Sequence, residues 1–345
     1  MMCPVRKSGE RGFVLPSVLA YITIAMLLVL VGAQALERAR DASLALRSDR
    51  ILINALDDLE AEATYRYLVS APVRYGVSRT QGPQDAMTIL LGTSEAEQKQ
   101  EEVPQGADAL WRADGGVIGF ERPGIVGTVE YRDVAGLVSL NSADPALIAG
   151  LLEMFGVSSD DAVGLAARLR DYTDEDVLRR PRGAERADYR LRQRPIPTDS
   201  PLRSVAEVSR VMGWEDLDFL ASPAFLEYVT ASLTNPTPRW VFASTPVLKL
   251  REKVPQTVTT NLDPLMLASE NSVVPAGRAR FVIRASDTQT GRTRLRIVEI
   301  ERTPAAAAMP WTRALVLDTP LPEDTRPVSL EGVEKVNFLQ GATDE

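Results

Sequence analysis

The densest group of acidic residues lies between residues 171 and 188, and its chemistry suits a hard cation. Carboxylates on a connecting segment, completed by backbone carbonyls, are the ligands that Ca²⁺ prefers. The spacing is not that of an EF-hand, and arginines are interspersed along the same segment. On the residues alone, a solvated, salt-bridged loop is therefore favoured over a calcium site. The acids are Asp171, Asp174, Glu175, Asp176, Glu185 and Asp188, and the arginines are Arg179, Arg180, Arg182 and Arg186.

The composition excludes most catalytic chemistry. The 345 residues include no His, which excludes imidazole-based triads and most zinc sites. The single Cys is Cys3, close to the first residue. A catalytic pair of carboxylates needs a pocket and one raised pKa, and no pair in the sequence indicates either. We therefore predict no catalytic residue and no enzymatic activity. The formal net charge of −8 also argues against a nucleic-acid surface.

A second short motif, Phe155-Gly156-Val157, lies between two predicted helices. Turns of this kind occur in helix-hairpin-helix modules, where backbone amides can hold a phosphate. The residues that follow, Ser158 to Asp161, are acidic and would repel DNA. We interpret Gly156 as a helix stop instead.

Residues 13–36 form an apolar stretch without a charged residue. At about 1.5 Å per residue, such a helix can cross a hydrocarbon core about 30 Å thick. The preceding residues 1–12 carry three basic side chains and one acidic one, so the rest of the chain is expected outside the cytoplasm. A simple single-pass anchor is one interpretation of this arrangement.

The junction Gly12-Phe13 supports a second interpretation, because it resembles the cleavage pattern of prepilin peptidase substrates. By that resemblance, residues 1–12 are a leader, cleavage follows Gly12, and Phe13 becomes a methylated N-terminus. Ser17 then occupies the fifth mature position, where this class usually has a Glu. The resemblance implies that this carboxylate pairs with the subunit above, so its absence fits a subunit at a filament tip.

The remaining pattern predicts a mixed body. A continuous helix is expected to about residue 68, with one apolar face directed at a sheet. Residues 72–106 are predicted to be loop, and residues 304–345 mostly irregular. Strands are expected around residues 116–121 and 127–132, at 226–233, and as a hairpin over 278–302 with its turn near Gly291. Helices are expected after the capping residues Asp144, Ser158 and Ser204.

Three segments together resemble the general secretion pathway protein K family, the large minor pseudopilins of type II secretion systems. They are GLVSLNSADPALIAGLL (136–152), LRDYTDEDVLRRPRGAERADY (169–189) and SPLRSVAEVSRVMGW (200–214). Tyr172 stands where the family usually has Trp, and a second helical segment of the family is reduced here to a remnant near Asn261. The matching positions are Gly136, Asn141, Asp171, Asp174, Asp176, Gly183, Glu185 and Tyr189.

The resemblance implies an α+β fold, in which a pilin-like long N-terminal helix packs on a small antiparallel sheet and an all-α, SAM-like domain is inserted. The implied division is a leader (1–12), a transmembrane half-helix (13–36), an outer half-helix (37–70), a first body part (71–135), the inserted helical domain (136–222), a second body part (223–303) and a C-terminal tail (304–345).

The same resemblance implies a function at the tip of the pseudopilus, where the protein would help to start assembly for the export of folded periplasmic proteins. The implied partners are the I and J minor pseudopilins, the major pseudopilin, the inner-membrane assembly platform and prepilin peptidase. The body would lie in the periplasm on a single inner-membrane anchor. Calcium at Asp171, Asp174, Asp176 or Glu185 is expected by analogy with family members. The alternatives are a tip minor pilin of a type IV pilus and a membrane-tethered periplasmic hydrolase.

Overall fold

The computed structural model describes residues 14–79, 109–233, 236–253, 272–302, 311–322 and 324–335. The predicted leader, Gly12, Phe13 and the segment around Asn261 lie outside these residues. The chain forms two compact units, Met1–Ile51 and Leu52–Glu345.

The first element is α1, a continuous helix over Val14–Val69. Its N-terminal part is apolar and exposed, with a mean hydropathy of 2.3 over 18 residues. Among the described residues, α1 is the one helix long and apolar enough to cross a membrane. It therefore fits a single-pass membrane anchor followed by a folded body. The predicted helix over residues 13–68 is confirmed within one residue at each described end.

Most strands of the second unit form a six-stranded sheet with the order β10-β9-β8-β5-β4-β11. Neighbours pair antiparallel, except that β11 runs parallel to β4. Two small sheets, β1-β2-β3 and the parallel pair β6-β7, complete the described strands. The strands are β1 Pro72–Val73, β2 Gly76–Ser78, β3 Leu110–Arg112, β4 Asp114–Arg122, β5 Ile125–Asp133, β6 Val138–Ser139, β7 Val229–Thr230, β8 Arg278–Asp287, β9 Thr293–Arg302, β10 Trp311–Pro320 and β11 Glu334–Lys335.

Alternation along the strands gives the large sheet two apolar faces. One face packs on residues 52–69 of α1, whose side chains at helical spacing are buried as predicted: Leu52, Leu56, Leu59, Ala63 and Tyr67. Tyr131 and Phe281 of this face are register partners and surround the Tyr67 ring. The opposite face, with Val282 and Ile297, packs on the helical domain.

The helical domain follows Asp133. Its first two helices are capped as the sequence predicted: Asp144 accepts the Ala146 amide, and Ser158 accepts the Asp161 amide. Gly156, at φ +88°, provides the predicted stop. The helices are α2 Pro145–Met154, α3 Ser159–Thr173, α4 Arg186–Leu191, α5 Pro223–Leu226 and α6 Thr245–Leu248, with 3₁₀ turns at Val134–Gly136, Val205–Arg210, Asp218–Ala221, Trp240–Phe242 and Lys249–Lys253.

A buried arginine joins this domain to the sheet. The Arg280 side chain on β8 is fully buried, donates to the Leu226 carbonyl at 2.5 Å and pairs with Glu299 of β9. Thr230 donates to the same Glu299 carboxylate at 2.9 Å. A buried charge of this kind persists only when it is paired and hydrogen-bonded, so the contact fixes where the helical domain meets the sheet.

Several sequence-based predictions were wrong. The prediction of a mostly irregular tail missed β10, a ten-residue strand along β9 that is fixed by ion pairs from Arg294 and Arg296 to Asp318. The stretch 226–233 is only a two-residue strand, since Ser222 and Pro223 start the short helix α5 just before it. Residues 72–78 form two short strands instead of loop. The segment after Ser204 is a 3₁₀ turn instead of an α-helix.

Candidate metal centre

The acidic segment lies between the end of α3 and the start of α4. Asp171 is in the last turn of α3, Asp174 is its C-cap, and Glu185 is the N-cap of α4. The chain from 174 to 185 therefore reverses direction between two helix ends and brings carboxylates from both ends together.

Asp171 is fully buried and has a structural role in this reversal. Its carboxylate accepts the Arg180 backbone amide at 3.2 Å and the Arg180 guanidinium at 2.9 Å. A Cβ atom on Gly183 would lie 1.9 Å from Asp171 Oδ2, so only glycine leaves room for this arrangement. Asp171 thus holds the loop in place, and among the described residues it is not part of the carboxylate cluster that could share one ion.

The other three predicted ligands come together. One carboxylate oxygen from each of Asp174, Asp176 and Glu185 lies within 4.8 Å of the other two. Asp174 Oδ2 pairs with Arg180, while its Oδ1 is buried without a hydrogen-bond partner. The Glu185 carboxylate faces the first amides of α4 in a capping box, but neither oxygen reaches hydrogen-bond geometry. Three buried acceptor oxygens therefore lack a donor.

The electrostatics of Glu185 reflect the same arrangement. Burial raises the pKa of its carboxyl, and the neighbouring charges of Asp171, Asp174 and Asp199 raise it further, against a smaller lowering effect of the Arg186 backbone amide. Arg180, hydrogen-bonded to Asp171 and Asp174, has its own pKa raised and neutralises only that side of the group. A bound cation would relieve the remaining repulsion and use the unpartnered oxygens. Hard oxygen donors of this kind fit Ca²⁺.

Sequence reasoning missed Asp199, which lies on the Pro-rich connection 14 residues after Glu185 in the chain. Arg186 pairs with one oxygen of Asp199, and the other oxygen, Oδ1, is buried without a hydrogen-bond partner. No spacing rule connects this residue to the acidic segment. Its only sequence signal is a lone acid inside PIPTDSP.

The remaining arginines of the acidic segment form salt bridges, as the sequence indicates. Arg179 pairs with Asp188, and Arg182 pairs with Asp160 of α3. These pairs coexist with the cluster, because both arginines bind carboxylates outside it. The acidic segment is therefore both a salt-bridged loop and a cluster of unsatisfied carboxylates.

The other motif residues hold the helical domain together. The buried Asn141 amide donates to the carbonyls of Leu202 at 2.9 Å and Ala231 at 2.6 Å, and its oxygen accepts the Leu202 amide at 2.7 Å. The Tyr189 hydroxyl accepts the Met212 amide at 2.8 Å. A Cβ on Gly136 would lie 2.4 Å from the Phe242 carbonyl oxygen. The motif thus consists of contacts that fix the fold and of acids that the fold leaves unsatisfied.

Comparisons with known proteins agree with the three motifs. Residues 133–231 match the family model described as Type II secretion system (T2SS), protein K. The matched region begins at the last residue of β5 and contains the carboxylate cluster. The match confirms the predicted family resemblance. A search of curated proteins finds no match.

Among solved structures, a chain of the GspK-GspI-GspJ complex from the enterotoxigenic Escherichia coli Type 2 Secretion System is similar at 14% sequence identity. The alignment covers 69% of this chain and 94% of that chain, with a TM-score of 0.38.

Proposed function

We propose that this chain, whose residues 133–231 match the type II secretion system protein K model, is a minor pseudopilin of that family at the tip of the pseudopilus. The observation that carries the proposal is the family match over residues 133–231. The same chain begins its described part with a 56-residue helix whose N-terminal part is apolar and long enough to cross a membrane. The proposed function is structural instead of catalytic. A type IV pilus subunit is less well supported, since the matched family belongs to secretion systems.

The layers of the second unit support a terminal position. Residues 52–69 of α1 cover one face of the large sheet, and the helical domain covers the other. This added layer makes the body bulkier than one helix on one sheet, which hinders stacking of a further subunit. Ser17 at the fifth position after Gly12 supports the same position, because no carboxylate is present there to pair with a subunit above.

The proposal includes a location and partners. The anchor lies in the inner membrane with the body in the periplasm. The partners are the I and J minor pseudopilins, the major pseudopilin and the assembly platform, after cleavage by prepilin peptidase between Gly12 and Phe13. Mass spectrometry of the protein from cells with active prepilin peptidase should show a methylated Phe13 N-terminus. Any other N-terminus would contradict the assignment to this class.

The tip position has a direct test, because Cys3 is the only cysteine and lies in the proposed leader. An exposed Asp218→Cys variant would give the processed chain one thiol for a biotin label. In assembled filaments, streptavidin-gold should mark one end only. Gold along the length of the filament would refute the tip position.

We also propose that Asp174, Asp176 and Glu185 bind Ca²⁺, with Asp171 orienting the loop. The support is the set of buried oxygens without donors and the raised pKa of Glu185. A ligand that binds only the folded state stabilises it by about 2.7 kcal/mol at 100 times its dissociation constant. Millimolar CaCl₂ should therefore raise the unfolding temperature of the full chain relative to chelator. The Glu185→Gln variant should lose this response, while Asp218→Asn should keep it. If CaCl₂ leaves the unfolding temperature of the wild type unchanged, the proposed calcium site is wrong.

A further inference from the structure

The segment 177–192 carries an exposed group of aliphatic and basic side chains that the proposed function does not use. Val177, Leu178 and Leu191 are 75%, 77% and 85% exposed. Among the described large hydrophobic residues beyond α1, these three are the most exposed. Isolated exposed aliphatics are ordinary, but a concentration of the most exposed ones in one region indicates a contact surface.

The fold brings the two parts of this group together. Val177 and Leu178 lie on the loop before α4, and Leu191 is the last residue of α4. The Arg179 guanidinium contacts the Asp188 carboxylate at 3.2 Å, which ties the loop to the helix. Leu191 follows Asp188 by three residues and so lies on the same side of the helix. We name Val177, Leu178, Arg179, Arg190, Leu191 and Arg192 the 177/191 patch.

The charges of the patch indicate its partner. Five of the seven arginines between residues 179 and 194 pair with carboxylates: Arg179, Arg180, Arg182, Arg186 and Arg194. Within the described part of the chain, Arg190 and Arg192 have no carboxylate in salt-bridge range, and both are exposed. These two arginines are the chain neighbours of Leu191 at the end of α4, while the exposed acids Glu175 and Asp176 precede Val177 at the other end of the patch. Guanidinium groups bind carboxylates in a bidentate manner, so two of them beside exposed aliphatics fit an acidic, aliphatic protein segment.

We propose that the 177/191 patch docks a partner protein through a segment that presents carboxylates around aliphatic side chains. Leu191, Leu178 and Val177 would bury apolar area, and Arg190 and Arg192 would pair with the carboxylates. The electrostatic part of such an interface weakens as salt rises. The proposal does not depend on calcium or on the position of the chain in a filament.

The test uses the full chain in nanodiscs of zwitterionic lipid and two fluorescent helical peptides of equal length, one of Leu and Glu and one of Leu and Lys. The Leu/Glu peptide should bind in an anisotropy titration, at least tenfold more tightly than the Leu/Lys peptide. Its affinity should fall at least fivefold between low and high salt. Empty nanodiscs give the background. Equal binding of both peptides would overturn the proposal.

Variants locate the binding. The double variant Arg190→Glu/Arg192→Glu should no longer bind the Leu/Glu peptide and should bind the Leu/Lys peptide instead. The variant Leu178→Ser/Leu191→Ser should bind the Leu/Glu peptide at least tenfold more weakly than the wild type does. Leu233→Ser and Arg210→Glu are matched controls, since both residues are exposed outside the patch, and should bind as the wild type does. The altered side chains are exposed, so unfolding temperatures should match the wild type and confirm folding.

Two results would assign the patch to another class of partner. If vesicles of anionic lipid bind the wild type and not Arg190→Glu/Arg192→Glu, while the Leu/Glu peptide does not bind, the surface recognises lipid and the proposal is wrong. If sedimentation shows that the patch variants abolish self-association of the chain, and neither peptide binds, the occupant is a second copy and the proposal is also wrong.

Discussion

The carboxylate of Asp133 should make the stability of the body depend on pH in the direction opposite to that of an ordinary acid. Asp133 is the last residue of β5 and is fully buried. Its Oδ1 accepts the Ala135 amide at 2.7 Å, and its Oδ2 accepts the Ala276 amide at 2.6 Å. Burial nevertheless dominates and raises the pKa of this carboxyl from 3.8 to about 6, against the effect of the two amides and of the Arg239 charge.

The sign follows from proton binding. Between pH 3.8 and 6 the folded state holds the Asp133 proton and the unfolded state does not, so the free energy of unfolding falls as pH rises. The contribution is fully present below pH 3.8 and is lost above about pH 6. A difference of about two pKa units corresponds to about 3 kcal/mol in total. The slope in this window is about 1.4 kcal/mol per pH unit.

The assay compares urea unfolding of wild type and Asp133→Asn at a series of pH values from 4 to 7. Other carboxylates titrate in both proteins, so the difference between them isolates Asp133. The stability of the wild type relative to the variant should fall by about 2.4 kcal/mol across the series, since part of the total is already lost at pH 4. Asp218→Asn, at an exposed position, is the matched control for removing one negative charge. Parallel curves for wild type and Asp133→Asn would refute the reasoning, whatever their offset.

Three further predictions concern the helical domain. Gly183→Ala should destabilise the chain by about 2 kcal/mol or more, since its Cβ would lie 1.9 Å from Asp171 Oδ2; a loss under 0.5 kcal/mol in urea unfolding would contradict the fit. Asn141→Ala should cost about 3 kcal/mol by leaving the Leu202 amide and two carbonyls unsatisfied. Asn141→Asp keeps the acceptor for the Leu202 amide but places a buried carboxylate against the two carbonyls, so it should cost at least as much if the donated hydrogen bonds are responsible. Without calcium, Glu185→Gln should raise the unfolding temperature by removing a buried charge, and the calcium response of the wild type should weaken as pH falls; a lowered unfolding temperature would mean that the carboxylate is already satisfied.

Local signals in the sequence predicted the elements that depend on nearest neighbours. The helix over Val14–Val69, the caps at Asp144 and Ser158 and the hairpin around Gly291 follow from periodicity, capping chemistry and a glycine turn. Each depends on contacts within a few residues, which a sequence displays directly.

Elements fixed by distant contacts were not predictable in the same way. The strand β10 was missed because Ala and Pro dominate its surroundings, while its stability comes from pairing with β9 and from ion pairs with Arg294 and Arg296. In the candidate site, the family motif identified the acids but did not show which of them share one site. Asp171 is hydrogen-bonded to Arg180, whereas Asp174, Asp176 and Glu185 form the cluster. Asp199 comes from a separate segment of the chain, where it pairs with Arg186 and lies close enough to Glu185 for its charge to act on that carboxyl.

The place where the chain leaves the large sheet adjoins the place where it returns. Asp133 ends β5, and its register partner Ala279 lies at the start of the neighbouring strand β8. A domain inserted between two such adjacent points does not force the two strands apart, so β5 and β8 stay paired whatever the length of the insertion. The distance between the two ends of the helical domain is therefore set by the sheet, while its contacts with the sheet, such as the Leu226 carbonyl that Arg280 binds, must still match the strands beneath.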